Sequence, residues 1–222
     1  ILSMKIYIII PIKNPDNELL KIVKYFQKKY KIIIINDGST LNSSFFRYII
    51  NKNVEILKNS KNMGKGYSLK KGIKRVIKRK ICGIIQADGD GQHSVNDIQR
   101  VINAFKKNKS KIIIGQRDLN FKNTPLRNYI GNKVASFIFN YNRKNKIEDT
   151  QCGLRAIPYS RFSNCLKFKE NNYSYETKFL LKFSINAKNY KLIKIRTIYK
   201  KKIISYFNPL NDSITILKSL FK

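Results

Sequence analysis

The segment Gln86-Ala87-Asp88-Gly89-Asp90-Gly91-Gln92-His93 follows the apolar run Ile81-Cys82-Gly83-Ile84-Ile85, and it is where this chain is best equipped for chemistry. Two aspartates one residue apart, at the end of an apolar strand, can turn both carboxylates toward one hard divalent cation and the diphosphate it neutralises. The chain has only 13 acidic residues against 46 basic ones, and only 10 glycines, so a close Asp pair beside two glycines is not a product of composition. The competing reading is an ordinary Asp-Gly turn between two elements. The pattern points instead to a site that handles a nucleotide. His93, the single histidine, is read as a capping or packing residue and not as a ligand or base.

The elements that must position this pair alternate along the chain. Ile6–Ile10, Ile32–Ile35, Val54–Leu57, Ile81–Ile85 and Lys111–Ile114 are β-branched runs expected to form strands covered on both faces. Between them, Glu18–Lys29, Ser43–Asn51, Tyr67–Lys78 and Val95–Lys107 carry apolar residues at helical spacing, as in Val95, Ile98, Val101, Ile102 and Phe105. Such alternation predicts a mostly parallel, three-layer α/β sheet whose ligands gather beyond the carboxyl ends of the strands. Asp37 and Asp88 both fall at such ends. After Arg117 the pattern weakens to a helix around Asn128–Tyr141, a segment near Gln151–Ile157, a helix near Glu176–Ile185 and a strand near Leu192–Tyr199. A short terminal amphipathic helix near 212–222 completes an expected single domain over residues 4–222.

Composition bounds the function. Cys82, Cys152 and Cys165 form no CxxC pair, which argues against a zinc framework or a disulfide scaffold and for a reducing, cytoplasmic compartment. No apolar run approaches the ~20 residues needed to cross a bilayer, and no secretory leader is evident. The formal charge of +33 is spread over every segment with abundant Lys, Asn and Ile, the bias of an AT-rich genome. Its clusters, including Lys78-Arg79-Lys80 and Lys200-Lys201-Lys202, would attract anionic lipid or a phosphate-bearing substrate. No nucleic-acid motif accompanies them, so no nucleic-acid partner is expected.

Six short motifs in order carry a resemblance. Pro11-Ile12-Lys13-Asn14, Asn36-Asp37-Gly38-Ser39, Asn62-Met63-Gly64-Lys65-Gly66, the Asp88/Asp90 motif with Gln92-His93, Gly115-Gln116-Arg117 and Asp149-Thr150-Gln151-Cys152-Gly153-Leu154-Arg155 resemble those of family 2 glycosyltransferases. The branch most similar contains dolichyl-phosphate mannose synthase and related polyprenyl-phosphate glycosyltransferases. The resemblance spans roughly residues 5 to 215 and implies the GT-A fold, a Rossmann-like three-layer α/β/α arrangement.

By that resemblance, Asp37 would accept an N–H edge of the donor's nucleobase, and Pro11 and Asn14 would shape the first loop over the same nucleotide. Gly64 and Lys65 would line the donor pocket. Asp90 would coordinate Mg2+ or Mn2+, with Asp88 shared between ribose and metal and Gln92 completing the polar shell; oxygen ligands of this kind suit hard cations. Arg117 and Arg127 resemble acceptor-side arginines that grip a phosphate. Asp149, Arg155 and Glu176 complete the catalytic set. The chain departs from the pattern at Lys13, where the family usually has an aromatic residue, at Pro15 in place of Glu, and at Lys178 in place of a second acid after Glu176.

The expected function is therefore an inverting, metal-dependent glycosyltransferase moving a sugar from a UDP- or GDP-linked donor to a polyprenyl phosphate. The protein would sit peripherally on the cytoplasmic membrane face, attached through the basic surface and residues 213–222. A saccharide hydroxyl acceptor in cell-surface polysaccharide assembly is the alternative. With it Asp149 would serve as a general base, whereas a lipid phosphate, already anionic, leaves Asp149 to organise Arg117 or Arg155. A basic, non-catalytic nucleotide- or nucleic-acid-binding protein is the reading from another class. Oligomeric state does not follow from the sequence.

Overall fold

A computed structural model describes residues 5–49, 51–120, 124–141, 143–144 and 146–198. The terminal helix expected near 212–222 and the Lys200–Lys202 cluster lie outside these residues. Seven strands form one sheet: β1 (Ile6–Ile12), β2 (Lys31–Asp37), β3 (Val54–Asn59), β4 (Gly83–Gln86), β5 (Ile112–Arg117), β6 (Arg155–Pro158) and β7 (Tyr190–Ile195). Their spatial order is β3-β2-β1-β4-β6-β5-β7, and every pairing is parallel except those of β6. The helices are α1 (Asn17–Phe26), α2 (Lys65–Val76), α3 (Val95–Lys107), α4 (Leu126–Asn140), α5 (Phe162–Leu166) and α6 (Ser174–Phe183).

Two-residue alternation along the central strands divides the core into two layers. Ile8, Ile10, Ile32 and Ile34 pack with Leu19, Ile22 and Phe26 of α1 and with Ile98, Val101, Ile102 and Phe105 of α3. On the other face, Ile9, Ile33 and Ile35 pack with Leu69, Ile73 and Val76 of α2 and with Phe179, Leu180 and Phe183 of α6. The result is the expected α/β/α sandwich. Caps fix where its helices begin. Asp16 accepts the Glu18 N–H at the start of α1, and Ser94 accepts the Asp97 N–H at the start of α3, so each satisfies a donor that the first turn leaves unpaired.

Two expectations change. The Ser43–Asn51 segment is a 3-10 helix over Ser43–Ile49, because its buried residues Phe46 and Ile49 are three apart and match the tighter turn. β3, expected to be covered on both faces, is an edge strand and only half-buried.

The reversed strand β6 matters most for the site. It runs antiparallel between β4 and β5, with Gln86 opposite Arg155. The beginning of β6 therefore lies at the carboxyl ends of its neighbours, and the preceding Asp149–Gly153 segment arrives beside both Asp88 and Arg117. Among the described residues no helix is long and apolar enough to cross a membrane.

Candidate active site

The site forms where β1, β2, β4 and β5 end. Asp88 follows β4, and its carboxylate meets the Lys65 ammonium at 2.7 Å. Lys65, the first residue of α2, also reaches Glu176 in the first turn of α6, at 2.9 Å. One partly buried cation thus joins two carboxylates from distant parts of the chain. Burial opposes the charge on Lys65, yet Asp88 and Glu176 outweigh it and raise its pKa. Burial likewise opposes ionisation of Asp88, but Lys65 overcomes it and holds the carboxyl below its ordinary range. Glu176 also accepts a hydrogen bond from Gln86 Nε2 at 3.2 Å.

Asp90 behaves differently. Burial, then the neighbouring Asp88 charge, push its pKa up to about 6, and its Oδ1 accepts the Gln92 N–H at 3.0 Å. His93 is buried and neutral, its pKa lowered to about 4 mainly by burial. Its Nδ1 accepts the Asp88 N–H at 3.2 Å, which leaves the proton on Nε2, 3.9 Å from Asp88 Oδ2 and 3.8 Å from Cys152 Sγ. The imidazole therefore anchors the backbone of the aspartate loop, in keeping with the packing role read from the sequence.

Across the cleft, Asp149 is buried and accepts five hydrogen bonds: from Arg117 N, Nε and Nη2, from Asn132 Nδ2 and from Gln151 N. The Nε and Nη2 contacts, at 2.7 and 3.0 Å, make a bidentate pair. Burial raises the carboxyl pKa, but the Arg117 charge and these bonds prevail and hold it below the usual range. Arg117 ends β5, and its Nη1 points to Gln92 Oε1 at 3.4 Å, so its guanidinium links the Asp149 segment to the Asp90 loop.

On the β2 side, the Asp37 carboxylate accepts from Asn59 Nδ2, Met63 N and Gly64 N. It thereby shapes the loop that leads into α2. Gly64 adopts φ 93°, a conformation that favours glycine, and a Cβ there would collide with the Asn171 carbonyl. Asn14, also at positive φ, accepts from the Thr40 and Leu41 amides, while its own amide donates to Ser39 Oγ, tying the loop after β1 to the loop after β2. Pro11 lies inside β1 beside Ile35. A cleft of about 410 Å³ opens here, lined in part by Asn36, Gly38, Ser39, Asn59 and Asn62.

Arg155 does not join this constellation. It is 0 % exposed, donates to the Glu176 carbonyl and stacks on the Phe179 ring at 4.8 Å. Its Nε and Nη2 meet no hydrogen-bond partner among the described residues. The sequence reading gave it a catalytic role; in the structure β6 turns the side chain into the core between the sheet and α6. Arg127 falls in the first turn of α4, and its side chain lies outside what the structure describes. Two residues escaped the sequence reading. Asn132 and Ser136 of α4 face the site, Ser136 donating to the Glu148 carbonyl at 2.8 Å; their only signal was polarity at helical spacing. At Gly153, which the sequence motif includes, a Cβ would lie 2.5 Å from Asp88 Oδ2 and 2.6 Å from Lys65 Nζ, so a side chain there must displace the tips of that ion pair.

A divalent cation fits the donor set. Asp88, Asp90 and Gln92 offer oxygen, and among the described residues no group of three His, Cys, Asp or Glu could hold a metal. A cation held by so few protein oxygens would retain waters and take phosphate oxygens from a substrate.

Comparison with known proteins agrees with this architecture. A dolichyl-phosphate N-acetylglucosaminyltransferase of Methanococcus voltae, which uses UDP-N-acetylglucosamine, is 30 % identical over an alignment covering 87 % of this chain and 86 % of that protein. A dolichyl-phosphate β-glucosyltransferase of Dictyostelium discoideum is 32 % identical over 58 % of this chain and 42 % of that protein. Glucosyl-3-phosphoglycerate synthase of Mycobacterium tuberculosis, crystallised with Mn2+, UDP-glucose and phosphoglyceric acid, superposes with a TM-score of 0.69 at 11 % identity, over 99 % of this chain and 79 % of that one, which establishes the GT-A fold. The model of glycosyl transferase family 2 matches residues 7–184, and the chain belongs to that family.

Proposed function

We propose that the protein transfers a sugar, with inversion, from a metal-bound nucleotide sugar to the phosphate of a polyprenyl phosphate at the cytoplasmic face of a membrane. The observation that carries this reading is the saturation of Asp149 by five donors. A sugar hydroxyl must lose a proton to attack, which calls for a free base. Asp149 has no such freedom, and Asp88 and Glu176 are both committed to Lys65. A lipid phosphate needs no base, because its oxygen is already anionic. What it needs is an oriented cation, and Asp149 holds Arg117 as one. The names of the Methanococcus and Dictyostelium relatives support the same acceptor class.

Within this reading Asp37, Asn14 and Pro11 frame the nucleoside site beside the cleft after β2. Asp88, Asp90 and Gln92 would hold Mg2+ or Mn2+, which when bound neutralises the leaving diphosphate. Lys65 keeps two carboxylates at fixed positions and adds positive charge on the donor side. An acceptor oxygen bonds to the anomeric carbon while the carbon–oxygen bond to the nucleoside diphosphate breaks, and Arg117 steadies the attacking phosphate.

The test is a transfer assay with labelled UDP- and GDP-sugars, Mn2+ and a short polyprenyl phosphate, followed by organic extraction. Label should enter the organic phase as a glycosyl phospholipid. Label recovered only on an added saccharide, or no turnover of any donor, would refute the proposal.

A further inference from the structure

The outward face of α4 is apolar where a surface helix is ordinarily polar. Leu126, Ile130, Val134, Phe137 and Tyr141 succeed one another at spacings of three or four and form one stripe along α4 and its C-cap. They are 53, 52, 52, 75 and 72 % exposed. The inward face carries Asn132 and Ser136, buried and bonded to Asp149 and to the Glu148 carbonyl, beside the buried ring of Phe139. The helix buries polar groups at the site and leaves an apolar stripe outside. Those polar groups are explained by the site they serve, whereas nothing among the described residues covers the stripe.

Charge identifies what would cover it. From Leu119 to Ile147 the sequence carries Lys122, Arg127, Lys133, Arg143, Lys144 and Lys146 and no acidic residue. The exposed Lys133 ammonium lies 5.5 Å from the Tyr129 ring centroid, beside the stripe, whereas Arg143 turns inward onto the buried Phe139 ring and donates to Ser184 Oγ. An apolar stripe on a segment that carries basic and no acidic residues complements an anionic bilayer, with the stripe at the acyl boundary and cations such as Lys133 among the headgroups. A second copy of the chain would set these basic flanks against one another.

We propose that α4 is the helix by which the protein docks on an anionic lipid bilayer. This rests on, and deepens, the functional reading above by naming the surface that meets the acceptor's membrane. Arg117 and Asp149 then lie across roughly one helix diameter, about 10 Å, from the headgroup layer. A phosphate on a lipid tail has to rise by roughly 10 Å above the headgroups to meet Arg117.

Co-sedimentation of the full chain with phosphatidylglycerol vesicles and with phosphatidylcholine vesicles, neither containing polyprenyl phosphate, tests the proposal. Binding should require phosphatidylglycerol and weaken as salt rises. The triple variant Ile130→Ser, Val134→Ser, Phe137→Ser should lose about tenfold or more in vesicle affinity, with thermal melting confirming that it is folded. Should it melt early, Phe137→Glu alone supplies the comparison. Leu41→Ser with Tyr48→Ser, which removes exposed apolar groups elsewhere, should bind as wild type. Wild-type binding by the stripe variants, or no binding by the intact protein, overturns the proposal. So does a dimer in sedimentation velocity that the triple variant dissociates, since the stripe would then be a self-interface. Because the vesicles hold no acceptor, these outcomes stand apart from the acceptor assay. Normal vesicle binding without lipid-linked product would sink the acceptor reading alone.

Discussion

Asp149→Asn separates an organiser of Arg117 from a general base. The substitution keeps shape and removes one charge. Asp149 Oδ2 accepts two bonds, both from Arg117, and Oδ1 accepts three, from Arg117, Asn132 and Gln151. Whichever oxygen becomes an NH2 group, at least two donors then face a donor. With the residues 1 and 8 % exposed, water repairs little of this. Two charge-assisted bonds at roughly 1.5–3 kcal/mol each, or a buried pair broken on one side at about 3–5 kcal/mol, give the same expectation. Asp149→Asn should lower unfolding free energy by about 3–5 kcal/mol in urea titrations at pH 7. In an Arg117→Gln background the same substitution should cost far less, a non-additivity that a double-mutant cycle reads directly. Transfer to polyprenyl phosphate should fall, while metal-dependent donor binding stays within about threefold of wild type. Because the Asp149 pKa is lowered on folding, its contribution is present above its ordinary value of 3.8 and lost as pH falls below it. Asp149→Asn should therefore flatten the acid limb of the stability profile. Loss of turnover with unfolding free energy within about 0.5 kcal/mol of wild type would refute the organiser role and restore the base.

Asp90→Asn should reduce turnover by about two orders of magnitude or more with melting unchanged, and full activity in excess chelator would dismiss the metal. Proton and metal compete for Asp90, whose pKa lies at about 6; apparent Mn2+ affinity, measured by calorimetry with UDP present, should weaken by up to about tenfold per pH unit below that value and level off above it. Arg117→Lys cannot reproduce the paired contacts to Asp149 and the reach to Gln92, so acceptor kcat/KM should drop about tenfold or more while donor affinity holds; equal weakening of the donor would place Arg117 on the wrong side. Gly153→Ala puts a methyl group 2.5 Å from Asp88 Oδ2, so nucleotide–Mn2+ binding should be lost from a folded protein, and unchanged titration curves would show that the loop yields.

Local chemistry determined much of this protein. The isoleucine runs could only be strands buried on two faces, and the 3.6-residue spacing of Ile98, Val101, Ile102 and Phe105 fixed both α3 and its inner face. The Asp88/Asp90 spacing marked a candidate site, because a shared carboxylate environment is set by residues adjacent in the chain. The reversal of β6 was not legible. Strand direction depends on pairing partners far away in sequence, and that one reversal puts Asp149 against Arg117 and Gly153 against Asp88 while turning Arg155 into the core. The same holds for Lys65, whose two partners come from a loop after β4 and from α6. In α4 the apolar residues lie on more than one face, so periodicity alone could not tell which side is inward. Only packing against Asp149 shows that the polar side faces in, since a buried amide or hydroxyl is stable where it finds a partner and the greasy stripe is left outside.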